Sequence, residues 1–178
     1  MNLSYQFIEA EQKPLLVFCP TFQPITAGAM QLQDLPMEES CVDIHLSVRA
    51  VVKLLQQHPD WPGVILTDQD QFVGMLTRSA FSEFSNSSFW IGIFSKETIL
   101  TFYEKHPSRS LVLDGSISVQ LAVRAVLNRE SKLIYDPIVV CLGENQYRLL
   151  DTPALLQLQS SLLVNPSCEF QQLLFRNS

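Results

Sequence analysis

The sequence predicts an α/β fold made of two tandem, pseudo-symmetric copies of one βαββα unit, and three observations predict it. Displacing the chain by 75 residues lays residues 46–81 over residues 121–156 without a gap, and nine of the 36 pairs are identical, Arg49/Arg124, Ala50/Ala125, Pro62/Pro137 and Thr77/Thr152 among them. A match at one fixed displacement marks a repeated supersecondary unit. In each copy apolar residues recur at helical spacing, Val48, Val51, Val52 and Leu55 in the first and Val123, Val126 and Leu127 in the second, and residues three and four apart share one helix face. A proline then opens a branched-apolar run, a polar turn and a second apolar run, the pattern of a buried hairpin.

Taken in order, residues 1–40 hold four prolines and one strand-like run at 15–19 (LLVFC), so they read as a loop-rich extension packing on the outside of the core. The first repeat spans 41–88. Its leading strand is 41–46 (CVDIHL), and Ser47 stands where a helix cap belongs. The hairpin follows as 62–66 (PGVIL), the turn 67–71 (TDQDQ) and 72–76 (FVGML); the closing helix at 79–84 (SAFSEF) runs out into the polar linker 85–88 (SNSS).

Residues 89–110 connect the repeats and contain a short amphipathic helix at 96–105 (KETILTFYEK). The second repeat spans 111–165. It has a leading strand at 111–113 with an Asp114-Gly115 turn, Ser118 as helix cap, strands at 137–141 (PIVVC) and 147–150 (YRLL), and the turn 143–146 (GENQ) between them. In its closing helix Thr152 is placed to cap and Pro153 to occupy the first helical position, where a missing N–H costs nothing. Residues 166–178 form a tail.

Composition narrows the function classes. The chain is 47% hydrophobic and 17% charged, which is the make-up of a folded domain. Its net charge of -6, with Lys and Arg unclustered, argues against a phosphate-backbone binder and so against nucleic acid as partner. No apolar run approaches the ~20 residues that cross a bilayer, and residues 1–13 carry no basic segment followed by an apolar one. No membrane partner and a cytoplasmic location are therefore the expectation. The four cysteines (Cys19, Cys41, Cys141, Cys168) and three histidines are scattered, so no metal is expected. Asp68 and Asp70 lack the central Gly and terminal Glu of a calcium loop. No nucleophile elbow, zinc-binding helix or phosphate loop is present, so the chain is not expected to be an enzyme.

Residues 62–81 (PGVILTDQDQFVGMLTRSAF) and 136–156 (DPIVVCLGENQYRLLDTPALL) together resemble the cystathionine beta-synthase (CBS) domain pair, or Bateman module. The resemblance covers residues 42–163. It implies two repeats packed face to face, a homodimer, and an adenine nucleotide (AMP, ADP or ATP) in the cleft between copies. In that family the strand after the hairpin turn ends in Thr or Ser, with an Asp three residues on that grips the ribose hydroxyls through charge-assisted bonds.

By the resemblance Thr77 and Thr152 are ligand-binding positions and Arg78 is placed to meet a phosphate. The acidic positions are Ala80 and Leu155, so neither copy carries the carboxylate. Asp151 either substitutes from a shifted register or serves as an N-terminal charge for the closing helix. Trp61 and Tyr135, beside the two prolines, either stack on a base or belong to the core.

The second copy also resembles CBS-like sensory segments ahead of histidine kinases and diguanylate cyclases, which implies a signalling protein as partner. Two functions are expected from this reading. One is a regulatory module that binds a small ligand between its repeats; the other is a ligand-free dimerisation scaffold.

Overall fold

The computed structural model describes residues 30–85 and 96–164. The expected strand at 15–19, the linker at 86–88 and the tail at 166–178 lie outside the described residues, as do Cys19 and Cys168.

Each repeat follows the expected order. The first comprises β1 (Cys41–Asp43), α1 (Val48–Gln57), β2 (Gly63–Asp68), β3 (Gln71–Thr77) and α2 (Arg78–Ser85). Helix α3 (Ile99–Lys105) then leads to the second, β4 (Val112–Asp114), α4 (Val119–Leu127), β5 (Ile138–Gly143), β6 (Gln146–Leu150) and α5 (Thr152–Val164). Ser47 and Ser118 cap α1 and α4, their hydroxyls accepting from the N–H groups of Ala50 and Leu121. The leading strand of the first repeat is shorter than 41–46. Asp43 ends it by accepting the N–H of His45 at 2.7 Å, and Asp114 does the same for Ser116 at 2.8 Å. An Asx side chain that bonds two residues ahead turns the chain out of a strand.

Two three-stranded sheets result, ordered β1-β2-β3 and β4-β5-β6, each with one parallel and one antiparallel pair. The branched runs of β2 and β5 are apolar on consecutive residues because both faces are covered. Val64, Leu66 and Leu76 turn toward α1, α3 and Phe81 in one core; Ile138, Val140 and Leu150 turn toward α4 and Leu155 in another. The opposite faces meet in a third, shared core of Ile65, Met75, Val112, Val139 and Leu149, flanked by Phe72 and Tyr147. Each such buried side chain contributes roughly 1.5–3 kcal/mol, so the repeats are joined by apolar burial as well as by the chain.

The repeats also exchange segments. Residues 30–40, read from sequence as an outer extension, supply the fully buried Leu32 and the buried Leu35 to the core of the second repeat. Met30 accepts the N–H of Val119, and Leu32 donates to Ile117. Reciprocally, α3 gives Ile99, Phe102 and Tyr103 to the first repeat, where Val48 donates to Glu97 and Ile99 to Leu46.

The register of the repeat departs from the uniform displacement of 75. The caps Ser47 and Ser118 are 71 apart, as are β1 and β4. In the strand interiors the spacing is 74: Ile65 and Val139 share one core with Met75 and Leu149. The extra residues of the second copy lie between α4 and β5, where residues 131–133 form a single 3-10 turn.

Candidate functional site

The candidate ligand-binding residues fall at two equivalent junctions, where β3 passes into α2 and where β6 passes into α5. At the first, Thr77 is 7% exposed, and its hydroxyl accepts the N–H of Ala80 at 3.1 Å and bonds Ser79 Oγ at 2.8 Å. Thr77 thus caps α2. Arg78, expected to meet a phosphate, turns back on its own repeat: Nε donates to Trp61 O at 2.7 Å, Nη1 to Leu55 O at 3.0 Å and Nη2 to His58 O. A guanidinium fits this place because Leu55 O, in the last turn of α1, has only Pro59 four residues on and so no N–H to meet it, and lies at the negative end of the helix dipole. Trp61 packs against the first repeat's core and stacks on His58, ring centroids 4.2 Å apart.

At the second junction the capping group is Asp151, whose Oδ2 accepts the N–H of Ala154 at 3.3 Å. Thr152 lies inside the helix instead of capping it, fully buried, and donates to Asp136 O at 2.7 Å. Asp151 is therefore the counterpart of Thr77 and Ala154 the counterpart of Ala80, and the acidic position of the second copy falls on Ala154, not on Leu155. Leu155 is the counterpart of Phe81, each buried in its repeat's core. Both copies still lack a carboxylate three residues past the strand end.

Beside Thr152, Arg129 donates from Nη1 to Asp136 O at 2.9 Å, while its Nη2 is buried without a partner. Burial lowers the Arg129 pKa against the pull of the Asp136 carboxylate, and burial raises that of Asp136 against the pull of Arg129. Tyr135 is 70% exposed. The six expected residues thus form two groups, Trp61–Thr77–Arg78 and Tyr135–Asp151–Thr152, and the hydrogen bonds of each group stay within its own repeat.

Sequence reasoning missed the chain segments that complete these junctions, which come from the opposite repeat. Ser108 reaches the free edge of β3, its Oγ donating to Met75 O, while Leu111 O accepts the N–H of Val139 at 2.9 Å within the second repeat. Between them the Ser110 hydroxyl is buried with no partner. Residues 38–40 run along the free edge of β6 in the same way. Glu38 and Leu149 exchange both backbone bonds, at 2.8 and 2.9 Å, and Ser40 O accepts the N–H of Ile65 at 2.9 Å. The Ser40 hydroxyl is likewise buried and unpartnered.

The repeats thus meet at two places, near the β3–α2 junction through residues 108–111 and near the β6–α5 junction through residues 38–40. A buried hydroxyl without a partner costs about 1–3 kcal/mol, so Ser40 and Ser110 each hold a donor that gains by meeting a new partner. Among the described residues no group of three metal-ligating side chains converges, and no helix is long and apolar enough to cross a membrane.

No protein-family model matches the chain, and no curated protein matches it in sequence. Solved structures do match. A CBS domain-containing protein of unknown function from Kribbella flavida superposes with a TM-score of 0.56 at 17% identity, over 74% of this chain and 99% of that one. CBSX2 from Arabidopsis thaliana, in complex with AMP, gives 0.55 at 14% identity over 75% and 98%. The CBS domains of a transcriptional regulator from Streptococcus pneumoniae give 0.52 at 12% identity over 72% and 98%.

Proposed function

Because this chain has the fold of a CBS-domain pair, we propose that it is a regulatory module that binds an adenine nucleotide or similar small ligand between its repeats and passes the event to a signalling partner. The observation that supports this reading is the pair of buried, unpartnered hydroxyls, Ser40 and Ser110, on the segments that cross to the other repeat's strand edge. A solved protein of the same fold holds AMP. A ligand seated there touches both repeats at once, and so can bias their relative position only through contacts that differ between the two arrangements.

In this proposal the ligand meets the junctions and the crossing segments, Thr77 and Ser79 with Ser108 and Ser110 at one and Asp151 with Ser40 at the other. Arg78 holds the end of α1 in this account, and Trp61 is a core residue. Tyr135 is exposed and free to stack on a base. A thermal-shift panel of AMP, ADP, ATP and adenosine tests the proposal. A ligand at 100 times its Kd adds ~2.7 kcal/mol, and an unmoved melting temperature across the panel contradicts it.

A second reading rests on Ala80 and Ala154, which leave both copies without the ribose-gripping acid, and on the exposed Leu127 and Tyr135. In it the pair works as a homodimeric scaffold with no ligand. Light scattering that finds a monomer at all concentrations excludes that version.

A further inference from the structure

The two repeats differ most in the connection that follows their first helix. In the first repeat it is residues 58–62, without lysine or arginine, and Trp61 packs against the core. In the second it is residues 128–137, with Arg129 and Lys132. The two large apolar side chains that are exposed among the described residues both belong to this stretch: Leu127, 55% exposed at the end of α4, and Tyr135, 70% exposed. Helices repeat at 71 and strand interiors at 74, so the counterpart of Leu127 is the polar Gln56 and that of Tyr135 is the packed Trp61. Neither exposure is a property of the repeated unit.

The long connection is held in shape. Arg129 Nη1 donates to Asp136 O at 2.9 Å and closes the loop, inside which Leu133 donates to Glu130 O and Asp136 to Leu133 O. Leu127 stands two residues before one end of that closure and Tyr135 one residue before the other, so both lie at the base of the loop. Cations gather on the same stretch. Arg124 is exposed one turn ahead of Leu127, and Glu130 engages both Arg109 at 2.5 Å and Lys132 at 3.2 Å. Arg109, Arg124, Arg129 and Lys132 thus stand with two carboxylates, Glu130 and Asp136, in a chain whose net charge is -6.

We infer, resting on the regulatory reading above, that this connection is the docking face for the signalling partner, and that the partner presents an acidic segment with apolar side chains among its carboxylates. Neighbouring exposed apolar groups gain by being covered, and tyrosine and arginine are the side chains that protein interfaces favour. The cation excess attracts an acidic segment that the net charge of the chain repels elsewhere, which fixes where it docks. Arg129 Nη2, buried without a partner, is a further donor on the loop. A second copy of this chain fits the face less well, because two copies would set the same cation excess against itself. Tyr135 is assigned here to the partner and not to a base.

Fluorescence anisotropy of the full chain tests this with a labelled synthetic peptide in which pairs of glutamates alternate with pairs of leucines, and with its twin carrying lysine for glutamate. The glutamate peptide should bind about tenfold tighter than the twin, and salt should weaken it. Leu127→Gln, Tyr135→Ser and Lys132→Glu should each weaken it by about tenfold. Arg49→Glu, on the exposed face of α1, should change it less than about twofold. All four side chains are exposed, so an unmoved melting temperature reports an intact fold in each variant.

Equal affinity for the two peptides, binding of neither, or binding that survives Leu127→Gln and Tyr135→Ser overturns the docking face. So does a dimer in light scattering that Leu127→Gln dissolves, which gives the face to a second copy, and so does a Tyr135→Ser chain that loses AMP and keeps the peptide. In each case a melting temperature that AMP still raises in the wild type leaves the regulatory reading standing. A chain that binds the glutamate peptide and no nucleotide contradicts the regulatory reading alone.

Discussion

Gly74 of β3 lies against the ring of Tyr103 of α3, so close that a β-carbon on the glycine would overlap both Cζ and Oη of the tyrosine. The contact fastens the connecting helix to the sheet of the first repeat, and it explains why this strand interior tolerates a residue that otherwise weakens strands. Gly74→Ala should therefore destabilise the chain by about 1–3 kcal/mol, the usual cost of overpacking. In a Tyr103→Leu background the same change should cost less, and a denaturant-unfolding double-mutant cycle reads the coupling.

The Tyr103 hydroxyl is buried without a partner, and burial pushes its pKa up to about 12. The unfolded chain ionises this phenol near ~10. Between those values the unfolded state has lost a proton that the folded state keeps, so stability falls as pH rises, by up to ~1.4 kcal/mol per pH unit from this group. Tyr103→Phe removes an unsatisfied hydroxyl and should gain up to ~1 kcal/mol at neutral pH. It should also lose that component of the alkaline decline, which unfolding free energies at pH 8 to 11 check.

Arg78 donates to three carbonyls at the end of α1 and the loop beyond it. Arg78→Ala should cost about 2–3 kcal/mol, since hydrogen bonds from a charged donor are worth more than neutral ones. Arg78→Lys should recover little, because an ammonium lacks the planar fork that reaches several acceptors at once. Loss of AMP affinity with stability unchanged would assign Arg78 to the ligand instead.

Leu32 precedes β1 in the chain yet is fully buried in the core of the second repeat. Leu32→Ala should cost about 2–5 kcal/mol. In native-state hydrogen exchange the amides of α4 should open before those of α1. Equal acceleration in both repeats would mean that they unfold as one unit, and faster exchange confined to α1 would contradict the exchange of segments.

The hairpins were legible in sequence because proline, branched-apolar run and polar turn are local signals, and the structure gives β2–β3 and β5–β6 where those signals fall. The register was less legible, for a physical reason. Sliding α1 on α4 by four residues is close to one helical turn, so the apolar stripe survives the error, and the uniform displacement of 75 gained the identities Val48/Val123 and Val51/Val126. The cap Ser47 aligns with Ser118 all the same. In the strands the same displacement is off by one residue and carried Thr77 onto Thr152, whereas the side chain that takes over its capping role is Asp151.

The segments that cross between the repeats were illegible for a different reason. Residues 38–40 and 108–111 reach the opposite repeat through backbone bonds to Leu149 and through Ser108 to Met75. Contacts between segments so far apart in the chain leave no periodic trace in either one.

Amide hydrogen exchange of the whole chain with and without saturating AMP tests the regulatory reading most directly. Protection should rise at residues 75–80 and 108–111 together, because a ligand between the repeats orders both of the segments that Ser108 and Met75 join. Unchanged exchange at both segments, or protection confined to surfaces away from the meeting of the two repeats, contradicts it.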